Sequence, residues 1–545
     1  MRIPIQDLLT TLLADALIDA GYQDQCKDFP LEWSCATGFG DISNNIAMRL
    51  ASALKQPPMK IASSIVAAFN KRLESSPCRV SVREIKAEGA GFINVYLSES
   101  YFQQVLQDII DLGGEFGRST EGKGKKVLVE FVSANPTGPL SVAHARQAAV
   151  GDALANILAY LGFDVKKEYY LNDEGNQINT LGRSVEMRLK ELNGEKIEFP
   201  ENYYQGDYIV DMAREIKDKN IQVSDFPEYS GNYILDIIKK ELEDFHVRFD
   251  CWYSQKSLRE SGKQQAALDY LRKAGYLYDE DGAVWFKSTD FGDDKDRVVI
   301  KSDHSFTYLA PDIAYHRDKF ERGFEWLINL WGPDHHGYIP RLKAAVMALG
   351  GKADSLSVVI VQLASIFRNG KVIEMSTRRG QYITLREVLD EVGVDASRYF
   401  FMMRRTSSHL NFDLEVAKKQ TPENPVYYVQ YAHARISSIL RQAGVSGKPE
   451  LPGSFLLKEK EEQLLLKKLW QFSYILKVCL GTLDPYMMTV YLQEAAESFH
   501  RFYDRHRVLG QEEACTQARI ALIYAAKTVL AKGLDLLGVT APEQM

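Results

Sequence analysis

The stretch VLVEFVSANPTGPLSVAHARQAAVGDALANI, residues 127–157, determines the fold expected for this chain. Its first residues form an apolar run of strand length, and the prolines and glycine of NPTGP then interrupt regular structure. From His144 onward the apolar residues recur at helical spacing, which predicts a helix. A strand, a loop and a helix in this order place the unpaired N–H groups of the helix at the C-terminal edge of a sheet. We therefore predict that a phosphate binds here, and that His144 and Arg146 in the first turn reach it.

Size and composition indicate a globular protein. The chain of 545 residues predicts about three to four domains, and its 45% hydrophobic and 26% charged residues are ordinary for a folded protein. The net charge of −7 argues against a general nucleic-acid-binding protein, so an RNA partner would need locally basic surface. The six cysteines form no C-x-x-C pair, which indicates neither a disulfide framework nor a zinc site.

The N-terminal text favours a cytoplasmic protein. Residues 1–22 carry three aspartates within an apolar pattern, which is typical of an amphipathic helix rather than of a signal peptide. No segment approaches the roughly 20 apolar residues that a membrane-spanning helix needs.

Three regions differ in their patterns. Residues 1–117 mix helical periodicity with alternating strand-like text, which predicts an α+β domain. Residues 118–390 alternate strand and helix signals, which predicts a parallel sheet covered on both faces, with an acidic helical insertion at about 195–300. From 391 to 545 the pattern is helical without a strand run. The expected fold class is therefore α/β and multidomain, with a Rossmann-type catalytic sheet and an all-α C-terminal domain.

Several local signals support the middle region. Asn369-Gly370 predicts a hairpin turn, and Thr384 with Glu387 forms a capping box that begins a helix. Three strands beyond the first are predicted at Val165–Leu171, Trp326–Trp331 and Ser357–Val361.

The opening stretch also resembles the first signature of class I aminoacyl-tRNA synthetases. The HIGH tetrapeptide of that class falls on SVAH at residues 141–144, and the flanking SANPTGPL and HARQAAVGD narrow the resemblance to the arginyl-tRNA synthetase family. The second signature, KMSKS, falls on EMSTR at residues 374–378. The chain departs from the family pattern here: Ser141 and Ala143 replace a histidine and a glycine, and both lysines of the second signature are missing.

The missing lysines raise the question of which cation stabilises the leaving phosphates. Arg378 and Arg379 are the first candidates, and Lys371 lies on the adjoining strand. Lys125 and Lys126, just before the first strand, are more distant candidates. The competing interpretation is that the arginine pair is a solvated turn, because charge runs usually face water.

The resemblance implies a site for ATP, which enters as a substrate with Mg²⁺, and no tightly bound cofactor. His144, Ser141, Arg378 and Arg379 would carry the catalytic roles. A metal site at Asp334-His335-His336 is disfavoured, because no third ligand is suitably spaced. The ATP contacts implied are Pro136, Gly138, Ser141, Ala143, His144, His335, Gly337, Met375 and Ser376.

Arginine as a substrate would require carboxylates, because a guanidinium is a planar fork of five donors that stays charged. The resemblance implies a pocket of Glu130, Asn135, His144, Tyr308 and Asp312. An unpaired carboxylate at Glu130, inside an apolar strand, would be costly, and a cationic ligand would explain it. A lysine or arginine from a neighbouring element is the competing explanation.

The helical text NPVYYVQYAHARISSI, residues 424–439, resembles the tRNA-binding domain of the same family. Tyrosines and basic residues at helical spacing form a surface for stacking and phosphate contact, although single tyrosines on helices more often belong to the core. Residues 39–51 and 88–98 resemble the additional N-terminal domain of the family, which would contact the tRNA corner. The tRNA contacts implied are Tyr427, Tyr431, His433, Arg435 and Met545.

Taken with the resemblance, these patterns predict a monomeric enzyme that activates L-arginine with ATP and transfers it to tRNA(Arg), with tRNA required even for adenylate formation. The residues alone predict only an α/β nucleotide-binding enzyme with a helical C-terminal domain. Three alternatives remain: a class I synthetase for cysteine or methionine, a catalytically silent tRNA-binding protein on the same scaffold, and a nucleotidyltransferase for a cofactor. The lack of a zinc-ligand cysteine set disfavours the first.

Overall fold

The computed structural model describes residues 5–24, 31, 33–34, 40–373 and 382–545. The N-terminal part contains α1 (Ile5–Asp19), β1 (Ile42–Asn44), α2 (Ile46–Leu54), α3 (Pro58–Glu74), β2 (Val82–Glu88), β3 (Phe92–Leu97) and α4 (Glu99–Leu112). Its three strands form an antiparallel sheet with β3 in the centre, and α3 packs against β2 and β3. This part therefore has the α+β character that the alternating sequence predicts.

The middle of the chain is built on a parallel sheet. Its first half contains β4 (Lys126–Glu130), α5 (Val142–Tyr160), β5 (Asp164–Leu171), α6 (Asn176–Leu192), α7 (Asp207–Asp218), α8 (Phe226–Asp244), β6 (Cys251–Ser254), α9 (Gln255–Glu260) and α10 (Lys263–Lys273). Its second half contains β7 (Leu277–Glu280), β8 (Ala283–Phe286), β9 (Arg297–Ile300), α11 (Leu309–Glu321), β10 (Trp326–Trp331), α12 (Ile339–Ala348), β11 (Leu356–Ile360), β12 (Ala364–Arg368), β13 (Lys371–Val372), α13 (Leu385–Met402), β14 (Leu410–Asp413) and α14 (Leu414–Lys418).

The central sheet has the strand order β11-β10-β4-β5-β6, and all neighbouring strands are parallel. Successive residues of β4 point to opposite faces, because the side-chain period of a strand is two. Val127 and Val129 join the core that contains α5, whereas Leu128 packs with Leu342 and Val346 of α12. The predicted covering of both faces is confirmed.

Helix α5 approaches the sheet edge closely because of one glycine. A Cβ atom at Gly151 would lie 2.3 Å from Cγ of Phe131, the residue that follows β4. A larger residue would therefore push the helix away from the loop that precedes it. Alanine-rich text on the same helix also allows close packing, and almost every residue from Ala145 to Leu158 is buried.

The sequence predictions are largely confirmed, with exceptions in the stretch 195–300 and after residue 391. The predicted strands correspond to β5, β10 and β11, the Asn369-Gly370 hairpin joins β12 to β13, and the capping box begins α13. However, β6 lies inside the stretch 195–300 and pairs with β5, so this stretch also supplies an edge strand of the central sheet. The same stretch contains β7, β8 and β9, which form a separate antiparallel sheet, so the expectation of a helical insertion was only partly right. The expectation of no strand after residue 391 was wrong, because β14 pairs in parallel with β12. The strands β6 and β14 have only four residues each, too few to show an alternation of apolar and polar residues.

The C-terminal part is a bundle of five helices that packs on the N-terminal part. Lys467 Nζ lies 2.6 Å from Asp41 Oδ1, and Trp470 Nε1 donates to Tyr101 Oη at 3.0 Å. Within the part of the chain that the structure describes, no helix is long and apolar enough to span a membrane. The five helices are α15 (Pro425–Gln442), α16 (Lys460–Trp470), α17 (Phe472–Thr482), α18 (Tyr486–Arg505) and α19 (Glu513–Leu536).

Candidate active site at the carboxyl edge of the sheet

The loop after β4 brings polar groups to the carboxyl edge of the sheet. Val132 and Ser133 both have a positive φ, at 67° and 41°, a conformation that is costly for a β-branched residue such as Val132. This turn lets Ser133 Oγ donate to Glu130 Oε1 at 3.2 Å and accept from the Tyr170 N–H at 3.1 Å. Asn135 follows and donates to Gln177 Oε1 at 2.6 Å. The strained turn thus ties together the ends of β4 and β5.

Helix α5 begins at Val142, with Ser141 as its N-cap, and presents His144 in its first turn. The Ser141 backbone N–H donates to His144 Nδ1 at 3.2 Å, so Nδ1 carries no proton in this arrangement. Desolvation lowers the pKa of His144 to about 4, so the ring is neutral near pH 7 and carries its proton on Nε2. The site therefore offers a neutral N–H donor beside the N–H groups of a helix terminus, which is suited to a phosphate oxygen.

Arg146 does not reach this terminus, contrary to prediction. Its guanidinium is fully buried and donates to the carbonyls of Gln362 at 2.8 Å, Ser408 at 2.9 Å and Arg405 at 3.0 Å. Two positions along a helix correspond to a rotation of about 200°, so Arg146 points to the side opposite His144. It joins α5 to the segments that follow β11 and α13.

Asp312, one turn into α11, is a partly buried carboxyl at the same sheet edge. Its Oδ2 accepts a hydrogen bond of 2.5 Å from Tyr338 Oη. Desolvation raises the pKa of Asp312 to about 7, and the negative charge of Glu130 acts in the same direction. A carboxyl with a raised pKa gains from a cationic partner, because the partner favours its charged form.

Glu130 already has a partner within the protein. Lys319 of α11, fully buried, places Nζ 2.5 Å from Glu130 Oε2 and 3.4 Å from Asn329 Oδ1 of β10. The competing explanation for a buried Glu130 is therefore present in the structure. Glu130 nevertheless lies close enough to Asp312 for its negative charge to contribute to the raised pKa of that residue.

The network of polar side chains around Lys319 was not predicted from the sequence, although the spacing of its residues indicates it. Asp312, His316 and Lys319 are spaced by four and three residues, which places them on one face of α11. His316 Nδ1 lies 2.8 Å from the Asp312 carbonyl and its Nε2 lies 3.0 Å from Asn329 Nδ2. Burial lowers the pKa of His316 well below its ordinary value. A histidine and a lysine on the apolar face of a predicted helix would have indicated such a network.

Three further predicted residues lie before α11 or directly after β10, near the carboxyl edge of the sheet. Tyr308 is the residue before α11 and is 82% exposed. His335 and Gly337 lie on a short 3-10 helix, Pro333–Tyr338, directly after β10, and both are exposed. Among the described residues, no three His, Cys, Asp or Glu side chains are grouped to hold a metal ion.

The structure describes only some of the cations proposed to replace the lysines of the second signature. Residues 374–381, which include Met375, Ser376, Arg378 and Arg379, lie outside the described residues. Lys125 and Lys126 lie at the start of β4, at the opposite edge of the sheet, and Lys125 Nζ is 5.3 Å from the ring centroid of Trp326. Because β4 is five residues long, about 15 Å of strand separates that edge from the cleft, and the suggestion that these lysines act on the phosphates was wrong.

Tyr427 and Tyr431 lie one turn apart on α15, with Tyr427 half-buried and Tyr431 exposed. The rings of Tyr427 and Tyr431 stack with centroids 6.0 Å apart, and the Arg435 guanidinium lies 6.0 Å from the Tyr431 centroid. His433 differs from its prediction: it is buried on the other side of the helix, with Nδ1 2.8 Å from the Pro542 carbonyl. Tyr427 and Met545 both line a cavity of about 700 Å³.

Three family models match the chain. The arginyl-tRNA synthetase N-terminal domain matches residues 7–97, the class I (R) tRNA synthetase catalytic domain matches 105–436, and the DALR anticodon-binding domain matches 429–545.

Individual proteins are similar over nearly the whole chain. A curated arginine–tRNA ligase of Citrifermentans bemidjiense is 48% identical over 520 residues, 93% of each chain. The arginine–tRNA ligase of Geobacillus kaustophilus is 47% identical over 557 residues and covers 99% of each chain. The solved arginyl-tRNA synthetase of Thermus thermophilus has a TM-score of 0.78 at 21% identity and covers 99% of this chain and 100% of its own, which supports the fold.

Proposed function

This chain belongs to the arginyl-tRNA synthetase family, and we propose that it activates L-arginine with ATP and transfers it to the 3′ end of tRNA(Arg). The observation that supports this assignment best is the pair Asp312 and Glu130 beside the helix terminus with His144. One side of the cleft suits a cation and the other side suits a phosphate. Arginine carries the positive charge of its guanidinium, and ATP carries the negative charge of its phosphates.

The reaction needs positioning and charge stabilisation rather than a covalent enzyme intermediate. A carboxylate oxygen of arginine attacks the α-phosphorus of ATP, and the bond to pyrophosphate breaks, so that pyrophosphate leaves. The Nε2–H of His144 and the first N–H groups of α5 donate to the phosphate oxygens. The tRNA 3′-terminal hydroxyl then attacks the arginyl carbonyl, and AMP leaves.

The arginine guanidinium occupies the Asp312 side in this proposal. Asp312 pairs with it as a carboxylate, while Glu130, already paired with Lys319, contributes its field and fixes the floor of the pocket. Asn135 and His144 take the α-amino and carboxylate end of the amino acid. Tyr308, at the exposed rim, covers the bound side chain.

The remaining assignments concern tRNA and organisation. Tyr427, Tyr431, Arg435 and Met545 contact the anticodon region, and His433 supports the helix that carries them. We assign residues 1–117 to the tRNA corner, 118–390 to catalysis and 391–545 to the anticodon, in a monomeric protein of the cytoplasm. Pro136, Gly138, Ala143, His335 and Gly337 contact ATP, with Met375, Ser376, Arg378 and Arg379 of the second signature.

The test is ATP–pyrophosphate exchange with each of the twenty amino acids, with and without tRNA. We expect exchange with arginine alone and only in the presence of tRNA. Exchange with cysteine or methionine would replace the assignment by another class I synthetase. Retained tRNA binding without any exchange would favour the catalytically silent scaffold.

A further inference from the structure

Two tyrosine hydroxyls converge on Gly138, in the loop that leads into α5. Tyr208 Oη donates to the Thr137 carbonyl at 2.9 Å, and Tyr382 Oη donates to the Pro139 carbonyl at 3.1 Å. A Cβ atom at Gly138 would lie 3.1 Å from the first hydroxyl oxygen and 3.2 Å from the second. The two tyrosines therefore hold the loop from both sides of a residue that has no side chain.

The tyrosines come from two different parts of the chain. Tyr208 lies in the first turn of α7, within the stretch predicted as an insertion, and Tyr382 follows residues 374–381 of the second signature. Desolvation raises the pKa of Tyr382 to about 12 and that of Tyr208 also rises, so both hydroxyls remain protonated donors near pH 7.

Further contacts hold the same segment just before His144. The Leu385 N–H donates to the Leu140 carbonyl at 2.7 Å, and the Val142 N–H donates to the Ile383 carbonyl at 3.3 Å. Glu241 of α8 accepts from the Leu140 N–H at 3.3 Å. The segment between Asn135 and α5 is thus bonded to two helices of the insertion and to the chain that leaves the second signature.

We infer that Tyr208 and Tyr382 are positioning residues for adenylate formation, which set the place of the α5 terminus through the Thr137 and Pro139 carbonyls. The inference rests on the proposed function, because it concerns the ATP step. Neither tyrosine touches the reacting atoms. A helix terminus stabilises a transition state only when its donors are correctly placed, and a displacement of about 1 Å can lower the rate a hundredfold.

The test removes each hydroxyl and leaves the ring. Tyr208→Phe and Tyr382→Phe should each lower kcat of arginine-dependent pyrophosphate exchange by about five- to thirtyfold, a fraction of the loss for a displaced site. The KM for arginine should stay within twofold, because the Asp312 side is untouched. The melting temperature should match that of Tyr229→Phe, a control on α8 whose ring stacks on Tyr233.

A kcat within twofold of the Tyr229→Phe control for both variants would overturn the inference. A fall in kcat that is accompanied by a melting temperature clearly below that of the control would also overturn the inference, because a purely structural role predicts that result. Failure of the proposed function is recognised separately, since wild-type protein and the control would then show no exchange with arginine.

A second variant tests the geometry without relying on either single loss. Gly138 does not have a positive φ, so among the protein atoms a Cβ there is crowded by the two tyrosines rather than strained by its backbone. A methyl group that only hindered ATP would not be relieved by Tyr208→Phe, which separates the two causes. Gly138→Ala should lower kcat, and Tyr208→Phe should then cost less in the Gly138→Ala background than in the wild type, because the nearest oxygen is gone. Independent losses that multiply would contradict the convergence of both hydroxyls on this residue.

Discussion

The α5 side and the α11 side of the candidate site present polar groups of different kinds. On the α5 side the donors are neutral: His144 lacks a charge near pH 7, and helix N–H groups complete the site. On the α11 side the groups are ionisable and buried or partly buried, with Lys319 paired to Glu130 and Asp312 accepting a hydrogen bond from Tyr338. Neutral donors act without titrating, whereas a buried carboxyl responds to both ligand charge and pH. The comparison predicts that substitutions and pH affect the two substrates separately.

The largest expected effect is on the α11 side. Asp312→Ala should weaken arginine use by about 2–5 kcal/mol, because it removes a charge partner of a desolvated guanidinium. This corresponds to a loss of about 30- to 5000-fold in kcat/KM for arginine. The measurement is pyrophosphate exchange at varied arginine, with exposed Asp354→Ala as the control. Unchanged kinetics with arginine would exclude the assignment of Asp312.

The ion pair beneath the pocket should show in stability. Glu130→Gln should lower the free energy of unfolding by about 3 kcal/mol, since it removes the carboxylate that pairs directly with buried Lys319. Denaturant unfolding of the double variant Glu130→Gln, Lys319→Met should recover most of that loss. If the single variant unfolds as the wild type does, Glu130 is not held mainly by Lys319 and the cationic ligand becomes its better explanation.

The α5 side should respond in rate rather than in arginine affinity. His144→Ala should lower kcat of exchange about a hundredfold, because it removes one donor aimed at the phosphate. The KM for arginine should be unaffected. The matched control is His336→Ala, an exposed histidine after β10. A variant whose kcat is retained while the KM for arginine rises would reverse the two roles.

The two sides should also differ in their dependence on pH. Asp312, with a pKa of about 7, must lose its proton to pair with arginine, so kcat/KM for arginine should fall by up to tenfold per pH unit below pH 7. Above pH 7 the carboxyl is already charged and the dependence should disappear. His144, with a pKa of about 4, adds nothing between pH 6 and 8, so the KM for ATP should stay flat. A profile for arginine that is level down to pH 5 would contradict the raised pKa.

The smallest effect is expected at the far edge of the sheet. Lys125→Met should leave exchange within twofold of the wild type, because Lys125 packs on Trp326 at the start of β4. A loss of tenfold or more with an unchanged melting temperature would show that this lysine acts on the site after all.

Much of the fold was predictable because its signals are local. The strand, loop and helix of residues 127–157, the Asn369-Gly370 turn and the capping box at Thr384 each depend on neighbouring residues. Two of the missed strands, β6 and β14, have four residues each and form only because a distant strand offers an edge. Each pairs with a strand that is distant in sequence, and no alternation of apolar and polar residues within these short segments indicates the pairing.

The sequence by itself determined which residue types stand at the start of α5 and along one face of α11, and through them the family. Only the tertiary structure decided their partners. Arg146 turns to backbone carbonyls, His433 turns inward, and Lys319 takes the carboxylate of Glu130. The physical reason is that a buried polar group must find a partner, and which partner lies within reach is set by packing between elements far apart in the chain.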